Sequence, residues 1–230
     1  MQPIEGNLFA PQNPSGTSIP LNSVKLLFPV QAGKIFAVGL NYKSHLGKRP
    51  APSQPEIFYK PISALQNPGD PIVTPPQSKN MHFEGELVAV IGKRASRISA
   101  NEAPGVVLGV TCGNDVSERD WQGGPAKDLQ WWRAKGADTF APLGPWVITG
   151  IDYSNLLLTT RVNGEVVQHQ YTSDLLFNIP AIVSFISEWV TLEPGDLIYT
   201  GTPGSTSKLN PGDIVEVEIE GIGVLRNPVV

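Results

Sequence analysis

The chain has 230 residues, 40% of them hydrophobic and 17% charged, which is enough apolar material for one large folded domain and too much for a disordered chain. Its formal net charge is −4, and no basic tract of the kind that binds phosphate backbones occurs, which argues against a nucleic-acid partner. Glycine (23) and proline (22) are frequent but follow no period, so collagen is excluded and a turn-rich β fold is favoured.

Targeting and redox signals indicate the compartment. The first residues lack the basic and apolar segments of a signal peptide, and no apolar run approaches the ~20 residues of a membrane-spanning helix. The single cysteine, Cys112, cannot form an internal disulfide, and no cluster of cysteine and histidine indicates zinc. We therefore expect a cytoplasmic protein with no membrane partner.

In chain order, residues 1–33 are rich in proline, asparagine and serine and predict an N-terminal arm or a small β-hairpin, with a strand over residues 24–30. In the main domain, residues 34–230, apolar runs bounded by turn residues predict strands over 35–40, 57–60, 82–91, 106–111, 145–149, 156–162 and 165–169. Between the last two strands, Asn163-Gly164 predicts a tight hairpin turn.

Helical signals are fewer. Apolar residues at helical spacing predict one long helix that begins near Asn178 and runs to Val190. Ser99 and Glu102 have the spacing of a capping box, which predicts a short helix. The fold class is therefore α+β, mostly β, with one long helix and short helices.

Two acidic residues directly precede an apolar run in MHFEGELVAVIG, residues 81–92. Along a strand, Glu84 and Glu86 would project from the same face, about 7 Å apart at the backbone. Such carboxylates repel each other unless they are hydrated, share a proton or bind a cation. Oxygen ligands suit Mg²⁺ or Mn²⁺ and, less specifically, Ca²⁺. From the spacing alone, a solvated strand face is the commoner explanation.

Three other residues are ambiguous when taken singly. Asp115 ends an apolar strand beside a glycine, which is a common place for a site residue and for a turn residue. Lys135 lies near a turn, where most lysines are solvated. His45 follows the first predicted core strand, where a histidine either acts as a general base or packs as a structural side chain.

Taken in order, five motifs resemble those of the fumarylacetoacetate hydrolase family. They are Asn41-Tyr42-x-x-His45, His82-Phe83-Glu84-x-Glu86-Leu87, Asn114-Asp115-Val116-Ser117-x-Arg119-Asp120-x-Gln122, Lys135-x-x-Asp138-Thr139-Phe140 and Gly201-Thr202-Pro203. Each motif alone is weak, but five in this order are specific. The resemblance covers residues 33–230.

The resemblance implies a mixed β-sandwich or roll, a homodimer and a catalytic domain over residues 34–230. It also implies Mg²⁺ or Mn²⁺ and a small substrate that carries neighbouring carboxylate and carbonyl oxygens. Carried over by motif, the metal ligands are Glu84, Glu86 and Asp115, the catalytic residues are His45 and Lys135, and the substrate-binding residues are Lys60, Gln122 and Thr202.

These roles agree with the chemistry. A divalent ion chelated by a 2-oxo acid polarises the carbonyl and stabilises the enolate that forms when a carbon–carbon or carbon–hydrogen bond breaks. Three carboxylates exceed the charge of such an ion by one unit, which Lys135 would offset. Histidine is the usual general base near neutral pH, so His45 can act on water or on a carbon acid.

The chain departs from the family in two loops. Many hydrolytic and decarboxylating members have a glutamate three residues after the histidine, where this chain has Lys48. A lysine cannot orient a histidinium as a carboxylate does, and Glu56, further along the same proline-rich loop, is a candidate substitute. Residues 204–207, GSTS, replace a Gly-Val-Gly-like run, and we expect this loop to help select the substrate.

The overall pattern is most similar to the bacterial-type single-domain branch, which includes acylpyruvate hydrolases, oxaloacetate decarboxylases and hydroxymuconate-type isomerases. We therefore expect an oxo-carboxylic acid substrate, with hydrolysis of a C–C bond as the leading reaction. Isomerisation or decarboxylation of an oxo-diacid is the alternative. Because the expected glutamate is missing, a low-activity or non-catalytic protein that binds a small acid is an alternative of another class.

Four further residues are interpreted as structural. Trp131 and Trp132 are expected to pack within the fold or at a dimer interface. Cys112 is expected to be a small buried side chain and not a nucleophile. His82 is expected to support the glutamates without ligating the metal.

Overall fold

The structure, a computed structural model, describes residues 4–5, 8–10, 13–14 and 16–230. Within these residues the strands are β1 (Ile4–Glu5), β2 (Asn13–Pro14), β3 (Ile35–Gly39), β4 (Glu56–Lys60), β5 (Leu65–Gln66), β6 (Met81–His82), β7 (Gly85–Ile91), β8 (Val107–Asn114), β9 (Ser117–Glu118), β10 (Ala141–Ile148), β11 (Leu157–Val162), β12 (Glu165–Tyr171), β13 (Leu197–Tyr199), β14 (Ile214–Ile219) and β15 (Gly223–Pro228). The α-helices are α1 (Lys43–Leu46), α2 (Arg119–Gly123), α3 (Trp132–Gly136) and α4 (Ile179–Trp189). The predicted α+β, mostly β fold is confirmed.

Two sheets carry the fold. A mixed seven-stranded sheet has the order β4-β3-β13-β7-β8-β10-β5, and an antiparallel four-stranded sheet has the order β12-β11-β14-β15. Two small pairs, β1 with β2 and β6 with β9, stand apart from these sheets. The main core lies between the two large sheets and α4, where residues from all three pack together.

Strand β7, in the middle of the large sheet, has an unbroken apolar run because both of its faces are covered. Leu87, Ala89 and Ile91 face the core between the sheets, whereas Val88 and Val90 face a second cluster on the opposite side. All five side chains are buried. A strand covered on both faces contains continuous apolar sequence, and not the alternation of a half-exposed strand.

The long helix and the tight hairpin agree with prediction. The side-chain oxygen of Asn178 accepts from the N–H of Ala181 at 3.0 Å and caps α4, with Pro180 in its first turn. Asn163 and Gly164 have φ angles of 53° and 86°, as a two-residue hairpin turn requires. No helix in the described part of the chain is long and apolar enough to cross a bilayer.

The capping box is also present, although its helix is shorter than a full α-helix. The carboxylate of Glu102 accepts from both the N–H and the hydroxyl of Ser99, at 2.9 and 2.7 Å. The helical segment that follows is a single 3-10 turn, Ala103–Gly105.

Two strand predictions were wrong. Residues 24–30 form no strand and run irregularly over the second cluster. There the N–H of Phe28 donates to the side chain of Asn67 at 2.9 Å and not to a neighbouring strand. The predicted strand over residues 82–91 is interrupted at Phe83 and Glu84. The chain changes sheets there, since β6 pairs with β9 and β7 pairs with β8. The division between residues 1–33 and 34–230 stays a prediction.

Candidate metal and substrate site

Three buried carboxylates converge at the start of β7 and the end of β8. Glu84 and Glu86 flank the first residue of β7, and Asp115 follows the last residue of β8. The two strands are antiparallel, so these ends meet, and the N–H of Asp115 donates to the carbonyl of Glu84 at 2.9 Å. One oxygen of each carboxylate lies within 4.8 Å of the other two. The structure therefore brings together the three residues predicted as metal ligands.

Gly85 lets the second sheet cover the backbone between the two glutamates. A Cβ atom at this position would lie 2.1 Å from Oγ1 of Thr160, so a side chain does not fit. The N–H of Gly85 donates to the amide oxygen of Gln168 at 3.1 Å, and its carbonyl accepts from the hydroxyl of Thr202 at 2.9 Å. The backbone that carries the carboxylates is therefore held on both sides.

Three cations contact this cluster. The ammonium of Lys135 lies 2.6 Å from Glu84 and 2.7 Å from Asp115. Lys60 reaches Asp115 at 2.5 Å, and Arg119 reaches Glu84 at 2.5 Å. Glu84, Asp115 and the three cations thus form one connected, largely buried network. With Glu86 included, three carboxylates face three cations, and their formal charges cancel when all are ionised.

The contacts shift the pKa values of the two glutamates in opposite directions. Burial alone would raise the pKa of Glu84, but the charges of Lys135 and Arg119 outweigh it and hold the pKa well below its usual range. Burial raises the pKa of Glu86, and the neighbouring carboxylates raise it further, while a hydrogen bond from the N–H of Gly201 at 2.7 Å offsets only part.

The donor set fits a divalent cation. Among the described salt bridges, Glu86 has no lysine or arginine partner, although it is 1% exposed. A buried carboxylate so placed gains most from a bound cation, which would favour its ionised form. Glu84, Glu86 and Asp115 would hold such an ion, and oxygen ligands alone favour Mg²⁺ or Mn²⁺, with Ca²⁺ also compatible.

His45 lies on α1 and lines the same cavity as the carboxylates. Its Nδ1 is 2.5 Å from the carbonyl oxygen of Gly204, which only accepts, so Nδ1 carries the proton and Nε2 of the neutral ring keeps a lone pair. Burial lowers the pKa of His45 and so favours the neutral ring near pH 7. A backbone carbonyl therefore fixes the tautomer that the expected glutamate would fix in other family members.

Two residues were considered for the role of the missing glutamate, Lys48 at its position and Glu56 as a substitute, and neither contacts His45. Lys48 is exposed just beyond α1. Glu56 is exposed at the start of β4 and lines a separate groove, together with Trp132. In the described residues, His45 is thus oriented by Gly204 and by no carboxylate.

Seven of the eight residues predicted for the site line one cavity of about 480 Å³. They are His45, Glu84, Glu86, Asp115, Gln122, Lys135 and Thr202. Lys60 does not line it, because its ammonium is buried behind Asp115 and also donates to the carbonyl of Lys135. Its position favours a charge-balancing contact over direct contact with substrate.

Two predicted substrate residues are already engaged. The amide oxygen of Gln122 accepts from Nη1 of Arg119 at 2.7 Å. The hydroxyl of Thr202 donates to Gly85 and accepts from Nε2 of Gln168 at 2.8 Å, which leaves one lone pair on its oxygen. Both side chains line the cavity, but a ligand would find only part of their hydrogen-bonding capacity free.

Sequence reasoning missed Arg119 and Thr206, which also line the cavity. Arg119 belongs to the motif that contains Asp115 and Gln122, and a cation beside two acids was a signal for a role in the site. Glu118, a buried carboxylate just before the helix that begins at Arg119, caps it by accepting from the N–H of Asp120 at 3.1 Å. Thr206 carries no such signal, because its contacts depend on how distant segments fold together.

The residues interpreted as structural have mixed positions. Cys112 is buried in the main core, where burial raises its pKa to about 12, so it is not a nucleophile. Trp131 lines the cavity and packs edge-on against Phe58, whereas Trp132 is 69% exposed. Burial and the charge of Arg119 lower the pKa of His82 to about 4, which keeps its ring neutral at pH 7.

The fold and the site together define a class, the mostly β proteins with a buried cluster of three carboxylates that could hold a divalent cation, beside a histidine. The chain belongs to the fumarylacetoacetate hydrolase family, since the profile of the fumarylacetoacetate (FAA) hydrolase C-terminal domain matches residues 34–230. The resemblance seen in the sequence is confirmed.

Relatives and solved structures span most of the chain. Protein Rv2993c of Mycobacterium tuberculosis is 49% identical over 222 residues, covering 94% of this chain and 82% of the relative. The mitochondrial oxaloacetate tautomerase FAHD2A of Bos taurus is 42% identical over 225 residues, covering 92% of this chain and 71% of the relative. The crystal structure of 2-hydroxyhepta-2,4-diene-1,7-dioate isomerase from Mycobacterium marinum superposes with a TM-score of 0.92 at 46% identity, covering 100% of this chain and 86% of that one.

Proposed function

We propose that the protein is a divalent-metal-dependent isomerase or tautomerase of a small oxo-dicarboxylic acid. One observation carries the proposal: when all are ionised, the three carboxylates carry a charge equal and opposite to that of Lys60, Lys135 and Arg119, which contact two of them. A divalent ion added to this neutral cluster would leave two positive charges, which the two carboxylates of a dicarboxylate would cancel. Two of the relatives, the oxaloacetate tautomerase and the dioate isomerase, are also named for diacid substrates.

The histidine suits a proton transfer within the substrate. A bound divalent ion would polarise the substrate carbonyl and make the adjacent C–H more acidic. Nε2 of His45 would take that proton, while the Nδ1–H donated to Gly204 supports the resulting cation. His45 would then return the proton to the enol oxygen or to a conjugated carbon, so that nothing is added or lost. Lys135 places a positive charge beside the site where negative charge develops.

Hydrolysis of a C–C bond, the leading expectation from the sequence, has less support. That reaction needs an activated water, and the carboxylate expected beside the histidine is replaced by Lys48, which is exposed. The names of the two relatives also denote rearrangements without added water. Decarboxylation of an oxo-diacid would use the same charge balance and is separated from isomerisation by its products. Cytoplasmic location stays a prediction.

A substrate panel with Mn²⁺ tests the reaction. Oxaloacetate, 2-hydroxyhepta-2,4-diene-1,7-dioate and an acylpyruvate are followed by ultraviolet absorbance, with products identified by NMR. We expect isomers of unchanged mass from a diacid, and a fall in kcat of about 10²–10⁴ for His45→Ala. Lys48→Ala is the control, expected at wild-type rate. Fragments from the acylpyruvate would indicate a hydrolase, CO₂ a decarboxylase, and binding of oxalate with no turnover a small-acid-binding protein.

A further inference from the structure

The loop of residues 204–207 contacts the site at both ends. Its first carbonyl, of Gly204, holds the ring of His45, and its third residue, Thr206, contacts Arg119. Nη2 of Arg119 donates to Oγ1 of Thr206 at 2.8 Å and to Glu84 at 2.5 Å. The guanidinium group of Arg119 is therefore held both by Glu84, a predicted metal ligand, and by Thr206.

The direction of the hydrogen bonds around Thr206 can be assigned. Nδ2 of Asn80 donates to Asp120 at 3.1 Å, so Oδ1 of Asn80 faces Nε2 of His82 at 2.8 Å and accepts from it. Nδ1, the other ring nitrogen of His82, lies 2.9 Å from Oγ1 of Thr206. Because a guanidinium group has donors and no acceptor, Oγ1 of Thr206 accepts the hydrogen bond from Arg119.

We propose that Thr206 is a positioning residue that holds Arg119 at the cavity, so that a free N–H of its guanidinium group binds a substrate carboxylate. Nη1 of Arg119 gives one N–H to Gln122 and keeps a second, while both N–H groups of Nη2 are taken by Glu84 and Thr206. An arginine fixed at three points loses less conformational entropy when it binds a carboxylate, and Thr206 supplies one of the three. This inference rests on the proposed function, because it assumes a carboxylate ligand.

The test measures binding of oxalate by calorimetry, with and without Mn²⁺, so that it does not depend on turnover. Thr206→Val removes the hydroxyl with little change in shape, and Thr206→Ser keeps it. We expect the valine variant to bind oxalate about tenfold more weakly, as loss of a charge-assisted hydrogen bond predicts, and the serine variant to bind within about twofold of wild type. Ser18→Ala, an exposed change outside this loop, is the control and should match wild type.

A double-mutant cycle separates positioning from a general effect on the fold. In an Arg119→Met background, Thr206→Val should weaken oxalate binding no further. The proposal is overturned if Thr206→Val binds oxalate like wild type, if its effect persists without the arginine, or if wild type binds oxalate in neither condition. If the oxalate pattern holds while no diacid is isomerised, the positioning role stands and the proposed reaction fails.

Discussion

At the scale of single residues, we expect the buried carboxyl group of Glu86 to favour metal binding and to lower the stability of the metal-free protein. Its pKa is raised by burial and by the neighbouring carboxylates, so the folded chain holds this proton more tightly than the unfolded chain does. Between the unfolded and the folded pKa, the folded state binds more protons, and the free energy of unfolding falls as pH rises. Glu86→Gln should therefore raise the melting temperature of the metal-free protein at pH 8, by about 2–4 °C per kcal/mol recovered.

The same substitution should abolish the rise in melting temperature that Mn²⁺ gives the wild-type protein, because a ligand is lost. Glu118→Gln is the contrasting control. Its carboxylate is also fully buried but accepts from backbone N–H groups of Lys79 and Asn80, so this variant should melt lower and keep its response to Mn²⁺. A lower melting temperature for metal-free Glu86→Gln, or a full response to Mn²⁺, would contradict the argument.

The sequence predicted which side chains come together where the signal is local, and their roles stay predictions. Glu84 and Glu86 were paired by strand spacing, and they do converge, although the strand that justified the argument breaks at Glu84. The position of Lys60 was not predictable, because its contact with Asp115 joins residues 55 apart in the sequence. Which cation faces the cavity and which lies behind a carboxylate depends on packing that no periodicity records.

At the scale of elements, β12 of the second sheet supports the site through Gln168. This buried amide accepts from the N–H of Gly85 and donates to Thr202 and to the carbonyl of Pro203. Gln168→Leu would leave the N–H of Gly85 and the carbonyl of Pro203 without partners. We expect this to lower the free energy of unfolding in urea by roughly 2–5 kcal/mol and to weaken Mn²⁺ binding about tenfold. Gln170→Leu, two residues along the same strand, is the matched control. Equal effects of both changes would exclude a specific role for Gln168.

Elements with a strong local code were predicted, and those that depend on partners were not. Helix α4 and the hairpin between β11 and β12 are specified by a cap, a period and a turn dipeptide. Strands as short as β6 and β9 have no such code, since two residues extend only where another segment pairs with them. The order of strands in the large sheet likewise depends on contacts between distant segments.

At the scale of the whole molecule, the homodimer implied by the family is a prediction with a specific place on the surface. Strand β4 is an edge strand of the large sheet, and a groove of about 1090 Å³ runs beside it. Tyr59, Leu129 and Trp132 line this groove and are 56%, 93% and 69% exposed. An unpaired strand edge beside large exposed apolar side chains is typical of an interface between subunits.

Phe58 and Trp131 line both this groove and the catalytic cavity, so a second copy seated here would support one wall of the site. Leu129→Glu combined with Trp132→Glu should convert a dimer to a monomer in sedimentation velocity, because two charges would be buried without partners. Trp189→Glu, which changes a 74% exposed tryptophan at the end of α4, should leave the assembly unchanged. A monomeric wild type, or a double variant that still sediments as a dimer, would show that subunits do not meet at this groove.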